Sequence, residues 1–134
     1  MASRDDREVI LIAERDRHVR ELQEFFLTRA GFAVEFADDG EMALDAARRL
    51  IPRAVVCEIL LPKMDGLALC RRLKGDASTR GIAVIVFSIL SAGTRAHEAG
   101  ADAFLRKPII ESTFLATIRE TAAAKHLTLM EHQK

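Results

Sequence analysis

AVVCEILLPKMDG, residues 54–66, opens on an apolar run, meets a single acid at Glu58, and breaks at Pro62 and the pair Asp65-Gly66. A run of four apolar residues rich in β-branched side chains is too short for a buried helix and reads as a strand covered on both faces. VILIA at 9–13 and IAVIVF at 82–87 have the same character. AVEFA at 33–37 is interrupted by Glu35, and AFL at 103–105 is very short, so both suit the edges of a sheet whose centre holds the other three.

Between these runs, apolar residues recur at spacings of three and four: Val19, Leu22, Phe25 and Phe26; Ala43, Ala46, Ala47 and Leu50; Leu67, Cys70 and Leu73; Phe114, Leu115, Ile118 and Ala122. Each set predicts a helix with one apolar face. Gly31 and Gly100 follow helical segments where a left-handed C-terminal cap is expected, and Asp38 or Asp39 is placed to cap the second helix. Strand and helix alternate five times, which predicts parallel strands joined by crossover helices that cover both faces. The expected fold is a doubly wound α/β sandwich forming one domain over residues 1–134. Its core is about 8–124, with a short N-terminal extension and a C-terminal tail, KHLTLMEHQK, that either lengthens the last helix or stays mobile.

Composition narrows the function classes. With 134 residues, 49% of them hydrophobic, the chain can bury a core without metals or disulfides. Twenty acidic and twenty basic residues cancel, leaving no global field to hold nucleic acid or an anionic membrane. MASRDDREV resembles neither a secretory signal nor a membrane span, so a cytoplasmic location is expected. Cys57 and Cys70 lack a Cys-x-x-Cys spacing and read as reduced core residues, and the four histidines are scattered, which argues against zinc. Arg71, Arg72 and Lys74 read as a solvated basic face.

In an open α/β sheet, ligands and chemistry collect beyond the carboxyl ends of the strands. Here the first strand ends in Glu14, Arg15 and Asp16, the third in Glu58, the fourth in Ser88 and the fifth in Lys107-Pro108. Four strand ends thus send acids, a hydroxyl and an ammonium toward one small volume. Taken alone, Glu58 is a solvated surface acid; taken with the others, it belongs to a site.

Over residues 8–124 the chain resembles the receiver domain of two-component response regulators. The resemblance rests on GFAVEFADDGEMALDAA, LPKMDGLALCRRLK and EAGADAFLRKP, in that order. It implies a flavodoxin-like sheet of five parallel strands in the order 2-1-3-4-5 with five helices. It also implies a phosphoryl switch, in which an aspartate at the end of the third strand accepts a phosphoryl group from a histidine kinase beside a magnesium ion. By resemblance, Lys107 matches the family's lysine, Ser88 its hydroxyl position and Phe104 an aromatic position whose rotamer reports activation. Lys107-Pro108 would carry a cis peptide aiming the lysine inward, against an ordinary trans turn; the alternative reading of Ser88 is a cap of the next helix, and that of Phe104 a core residue of an edge strand. Asp65 and Gly66 shape the loop after Pro62, the glycine by permitting a tight turn.

Against the family pattern, Glu58 stands at the phosphoacceptor position. Glu14 falls on the first acidic position of the metal pocket, and Arg15 on the second. A carboxylate lengthened by one methylene misplaces its oxygens for in-line transfer, and a fixed positive charge at residue 15 repels magnesium. Arginine can also pair with a carboxylate in the ion's stead. These changes predict that Glu58 occupies part of the aspartyl-phosphate volume, reaching Lys107, Ser88 or Arg15. The segment from Ser88 to Lys107 is about three residues short of the family spacing, which shortens the fourth helix or its preceding loop by roughly a turn.

The expected protein is a stand-alone, atypical receiver, not an enzyme, without cofactor or metal. It would act independently of phosphorylation through a protein partner, either a histidine kinase or a downstream signalling protein, with a homodimer left open and no contact with nucleic acid or membrane. The alternative is a phosphoryl-accepting receiver that uses Mg2+. A flavodoxin-like cofactor binder is disfavoured, because the first loop, ERDRH, lacks the Gly, Ser and Thr donors of a phosphate cradle and the chain has no Trp or Tyr.

Overall fold

The computed structural model describes the backbone of residues 6–132 and side chains through Lys125. Five strands, β1 (Val9–Ala13), β2 (Ala33–Ala37), β3 (Ala54–Cys57), β4 (Ala83–Ser88) and β5 (Ala103–Arg106), alternate with five helices: α1 (Arg17–Arg29), α2 (Gly40–Leu50), α3 (Gly66–Lys74), α4 (Gly93–Glu98) and α5 (Glu111–His132). All neighbouring strands pair in parallel, in the order β2-β1-β3-β4-β5, so the interrupted and the short strand do lie at the edges. The expected ends of β4 and β5 shift by a residue: Ser88 closes β4 and Arg106 closes β5.

Side chains alternate across each strand and so build two cores from one sheet. Leu11, Val55, Cys57, Val84 and Val86 face α2, α3 and α4, where Leu44, Ala47, Cys70 and Ala96 cover them. Ile10, Ile12, Val56, Ile85 and Phe87 face the opposite side, against Leu27 of α1 and Phe114 and Ile118 of α5. Each fully buried aliphatic side chain contributes about 2 kcal/mol.

The caps follow the expected chemistry. The Asp39 carboxylate accepts from the Met42 amide at the start of α2, and Asp65 accepts from Ala68 at the start of α3. Gly31 and Gly100 both take φ +96°, the left-handed conformation expected after α1 and α4. The tail lengthens α5 as far as His132, while residues 1–5 of the N-terminal extension and the last two residues of the chain lie outside the described residues. α4 has only six residues and no side-chain cap, in keeping with the missing turn.

Three local readings change. Gly66 does not make a turn: it begins α3, and a Cβ there would lie 2.2 Å from the Glu58 carbonyl oxygen, so the glycine is required by close approach. The left-handed residue of this loop is Lys63, at φ 68°. Lys74 is not part of a solvated face. Its Nζ donates to the Ile82 carbonyl at 2.7 Å and to Asp102 at 2.8 Å, and Asp102 also accepts from the Val84 amide and pairs with Lys125. This network ties the end of α3 to the starts of β4 and β5, because the aliphatic stem of lysine can cross apolar surface and deliver its charge to a partly buried acid.

The third change concerns α1. Its buried residues are Gln23 and Leu27; of the expected apolar face, Val19 and Phe26 pack against the core, while Leu22 and Phe25 stand in solvent.

Gly66→Ala is expected to destabilise the domain by about 3 kcal/mol, since the added methyl overpacks a backbone contact. A urea titration checks this; a midpoint equal to that of the parent would mean the close approach is not rigid.

Candidate functional site

The sheet brings Glu14, Glu58, Ser88 and Lys107 together at its carboxyl end. Each comes from the residue that ends a strand or follows it, and β1, β3 and β4 are adjacent. Glu14 and Glu58 are 2% and 5% exposed, so neither is a solvated surface acid, and Ser88 is fully buried.

Lys107 organises the cluster. Its ammonium donates to Oε1 of Glu58 at 3.1 Å and lies 2.8 Å from Oε1 of Glu14. The Glu14 contact is a close ion pair. The same ammonium sits 5.6 Å from the centre of the Phe87 ring. The Lys107-Pro108 peptide is cis, as the resemblance implied.

The second oxygen of Glu58 turns back on its own loop and accepts from the amides of Ile59 and Leu60. The Ser88 hydroxyl accepts from the Leu90 amide at 3.3 Å, so it braces the β4–α4 loop and does not cap α4, whose N-cap is Ala92. Burial opposes the charged form of Glu58, yet hydrogen bonds from the Ser88 hydroxyl, the Lys107 ammonium and the Leu60 amide outweigh it and hold the carboxyl below its usual range. Burial likewise opposes the Lys107 charge, and Glu14 and then Glu58 outweigh it, raising the ammonium above its usual value. The pair therefore keeps its charges throughout the neutral range.

Arg15 lines the same cleft of about 420 Å³, with Asp16, Leu60 and Ile89 at its rim. It does not pair with Glu58: Arg15 is exposed and, among the described residues, has no carboxylate within 4 Å. The expectation that arginine replaces the metal is corrected, because Lys107 already holds both buried carboxylates. Asp16 is likewise committed, accepting from the His18 and Val19 amides as the N-cap of α1.

This donor set does not fit a magnesium ion. One oxygen of each buried acid faces an ammonium, the Arg15 cation lines the same cleft, and among the described residues no three His, Cys, Asp or Glu side chains converge to hold a metal.

Phe104 is not brought to the cluster. It is half-buried on β5 and packs toward α4, where a Cβ on Gly93 would lie 3.4 Å from its ring. Asp65 and Gly66 act from behind, one by capping α3 and the other by packing on the Glu58 carbonyl. The sequence reading missed the loop amides and the two apolar rim residues, Leu60 and Ile89, although both stand where strand-end loops are ordinarily polar.

A match to the response regulator receiver domain spans residues 10–119. The chain belongs to this family of two-component signalling modules. It is 37% identical over 111 residues to the response regulator MprA of Mycobacterium tuberculosis (strain H37Rv), covering 82% of this chain and 48% of that one. The chain thus spans about half the length of the curated relatives it matches. Among solved structures, it superposes on a putative response regulator from Chloroflexus aurantiacus with TM-score 0.84 and 30% identity, covering 88% of this chain and 99% of that one. A receiver domain of a signal transduction histidine kinase from Syntrophus aciditrophicus gives TM-score 0.81 and 32% identity, with coverages of 87% and 91%.

The lowered carboxyl of Glu58 predicts a pH effect. Its folded form releases the proton more readily than the unfolded chain, whose ordinary value is 4.5. The stabilisation is complete above that value and disappears as pH falls through the lower folded value. Acid titrations of stability should therefore show a shallower loss for Glu58→Gln than for the parent below the ordinary value. Parallel curves would show that Glu58 does not carry the coupling.

Proposed function

We propose that this receiver domain signals without being phosphorylated, with Glu58 standing where the family places an aspartyl phosphate. The observation that carries the reading is one ammonium shared by two buried acids, Lys107 between Glu14 and Glu58. In the resemblance, lysine and the Ser/Thr hydroxyl contact the phosphoryl group. In this chain Lys107 donates to Glu58, and the Ser88 hydroxyl helps to hold the same carboxylate charged.

Three physical points support the loss of transfer chemistry. The longer side chain carries its oxygens about one C–C bond, ~1.5 Å, farther from the backbone. A displacement near 1 Å can cost a hundredfold in a positioned reaction. Both oxygens of Glu58 already accept hydrogen bonds, and the neutralising cation is covalently part of the chain. The output is protein–protein recognition by a single fixed state, with a histidine kinase or downstream signalling protein as the partner and the cytoplasm as its place.

Incubation with acetyl phosphate and magnesium, followed by intact-mass measurement, is expected to leave the protein unmodified. A stable gain of one phosphoryl group that vanishes in Glu58→Gln would favour a phosphoryl-accepting receiver instead. Restoration offers a second measurement: Arg15→Asp combined with Glu58→Asp should recover magnesium-dependent phosphorylation, and either change alone should recover less. Equal recovery by Glu58→Asp alone would remove Arg15 from the account.

A further inference from the structure

We infer that α1 forms a two-fold interface with a second copy of this chain. The inference stands on the surface of α1 and goes beyond the proposed function, since it holds whether or not Glu58 is phosphorylated. Leu22 is 40% exposed and Phe25 54% exposed, one helical turn apart. The buried face of the same helix is centred on Gln23 and Leu27. At 100° per residue, Leu22 lies a quarter-turn or more away from that face, so the stripe of Leu22 and Phe25 stands off the core, while Val19 and Phe26 pack against it beside Leu27.

The arrangement is costly when left alone. Gln23 is buried, yet neither its amide oxygen nor its amide nitrogen has a hydrogen-bond partner, while two large apolar side chains of the same helix meet water. A second surface covering the stripe removes the second of these penalties.

The structure holds a receptor for that stripe on the same helix. An apolar groove of about 430 Å³ is walled by Val19, Leu22, Phe87, Ile89, Pro108 and Ile109. About 150 Å³ suffices for a benzene ring, so the groove can admit a phenylalanine. Ridge and groove lie one turn apart along α1. A two-fold axis passing beside Leu22 runs the two helices antiparallel and sets each Phe25 against the Val19 end of the other copy's groove, so both ridges are seated at once and the assembly closes as a dimer. The charges around the contact are paired within the chain: Arg17 with Glu21, Arg29, which lies over the Phe25 ring, with Glu111, and Lys107 at the edge of the groove with Glu14 and Glu58. Because the Lys107 stem also lines the groove, the dimer covers a wall of the ion-paired site.

An interface centred on one 13-residue helix is small, roughly 1,000 Å² in total, and corresponds to a weak dimer. Sedimentation equilibrium from about 5 to about 500 μM brackets that strength. The mass is expected to rise from one chain to two across this range, with the dissociation constant weakened at least about tenfold, the equivalent of 1.4 kcal/mol, by Leu22→Glu or Ile89→Glu. Both positions are exposed, and unchanged thermal melts confirm that these variants fold. Ile51→Asn removes an equally exposed apolar side chain outside the groove and should leave the dimer intact. Leu22→Cys should cross-link across the two-fold axis under mild oxidation, while Cys57 and Cys70, both fully buried, do not react. A protein that stays at one chain's mass at the top of the range overturns the inference. So does weakening by Ile51→Asn as large as that by Leu22→Glu, or a dimer that Leu22→Cys fails to cross-link.

Discussion

One ammonium group between two buried carboxylates is the constraint on which the functional end of this domain depends. Lys107 reaches Glu14 and Glu58 from a cis peptide at the end of β5, which joins the edge strand to the ends of β1 and β3 across the top of the sheet. Two buried acids side by side would repel each other and lose solvation; the shared lysine removes the repulsion without an ion from solution. At the opposite end of the strands, Lys74 and Asp102 do comparable work with a partly exposed pair, tying helix to sheet where no chemistry is required. The fold thus carries a cation–acid fastening at each end of its parallel strands.

The fold was largely legible because burial on both faces leaves unbroken apolar runs. VILIA, AVVC and AVIVF have no polar register to maintain, and the strands they form are the three central ones. The edge positions were legible for the converse reason, since Glu35 and the shortness of β5 mark strands with one open side. The identities of the site residues were also legible, because strand-end positions in a parallel sheet converge whatever the loops do. Their partners were not. Which cation would take Glu58 depended on whether residue 15 reaches the buried carboxylate or stays exposed along the cleft, and a local sequence of three charged residues, Glu14, Arg15 and Asp16, does not decide this. The capping demand of α1 on Asp16 and the inward turn of Glu14 decide it in three dimensions.

The face of α1 is only half what its periodicity predicts, for an instructive reason. Periodicity locates the apolar stripe of a helix, but it does not say what the stripe packs against. In α2, α3 and α5 the stripe and the core face coincide; in α1 only Val19 and Phe26 of the stripe reach the core, Leu22 and Phe25 stay outside, and a glutamine takes an inner position. A mismatch between amphipathic pattern and burial is therefore more informative than either quantity alone.

The close approach of Gly66 to the Glu58 carbonyl has one more consequence. A second glycine, Gly40, donates its amide to the Pro62 carbonyl and leaves no room for a Cβ beside Met64, so the loop after β3 is wedged between the starts of two helices. A loop wedged in this way has almost no slack, and the backbone of residue 58 cannot slide to absorb a change in side-chain length. Every methylene added or removed there is converted directly into reach: the glutamate closes the distance to Lys107 by itself, whereas a shorter acid on the same anchored backbone would leave a gap of about one bond length. The glycines thus make residue 58 a gauge, in which the length of the acid alone sets whether the cleft is filled from within or left open for a ligand.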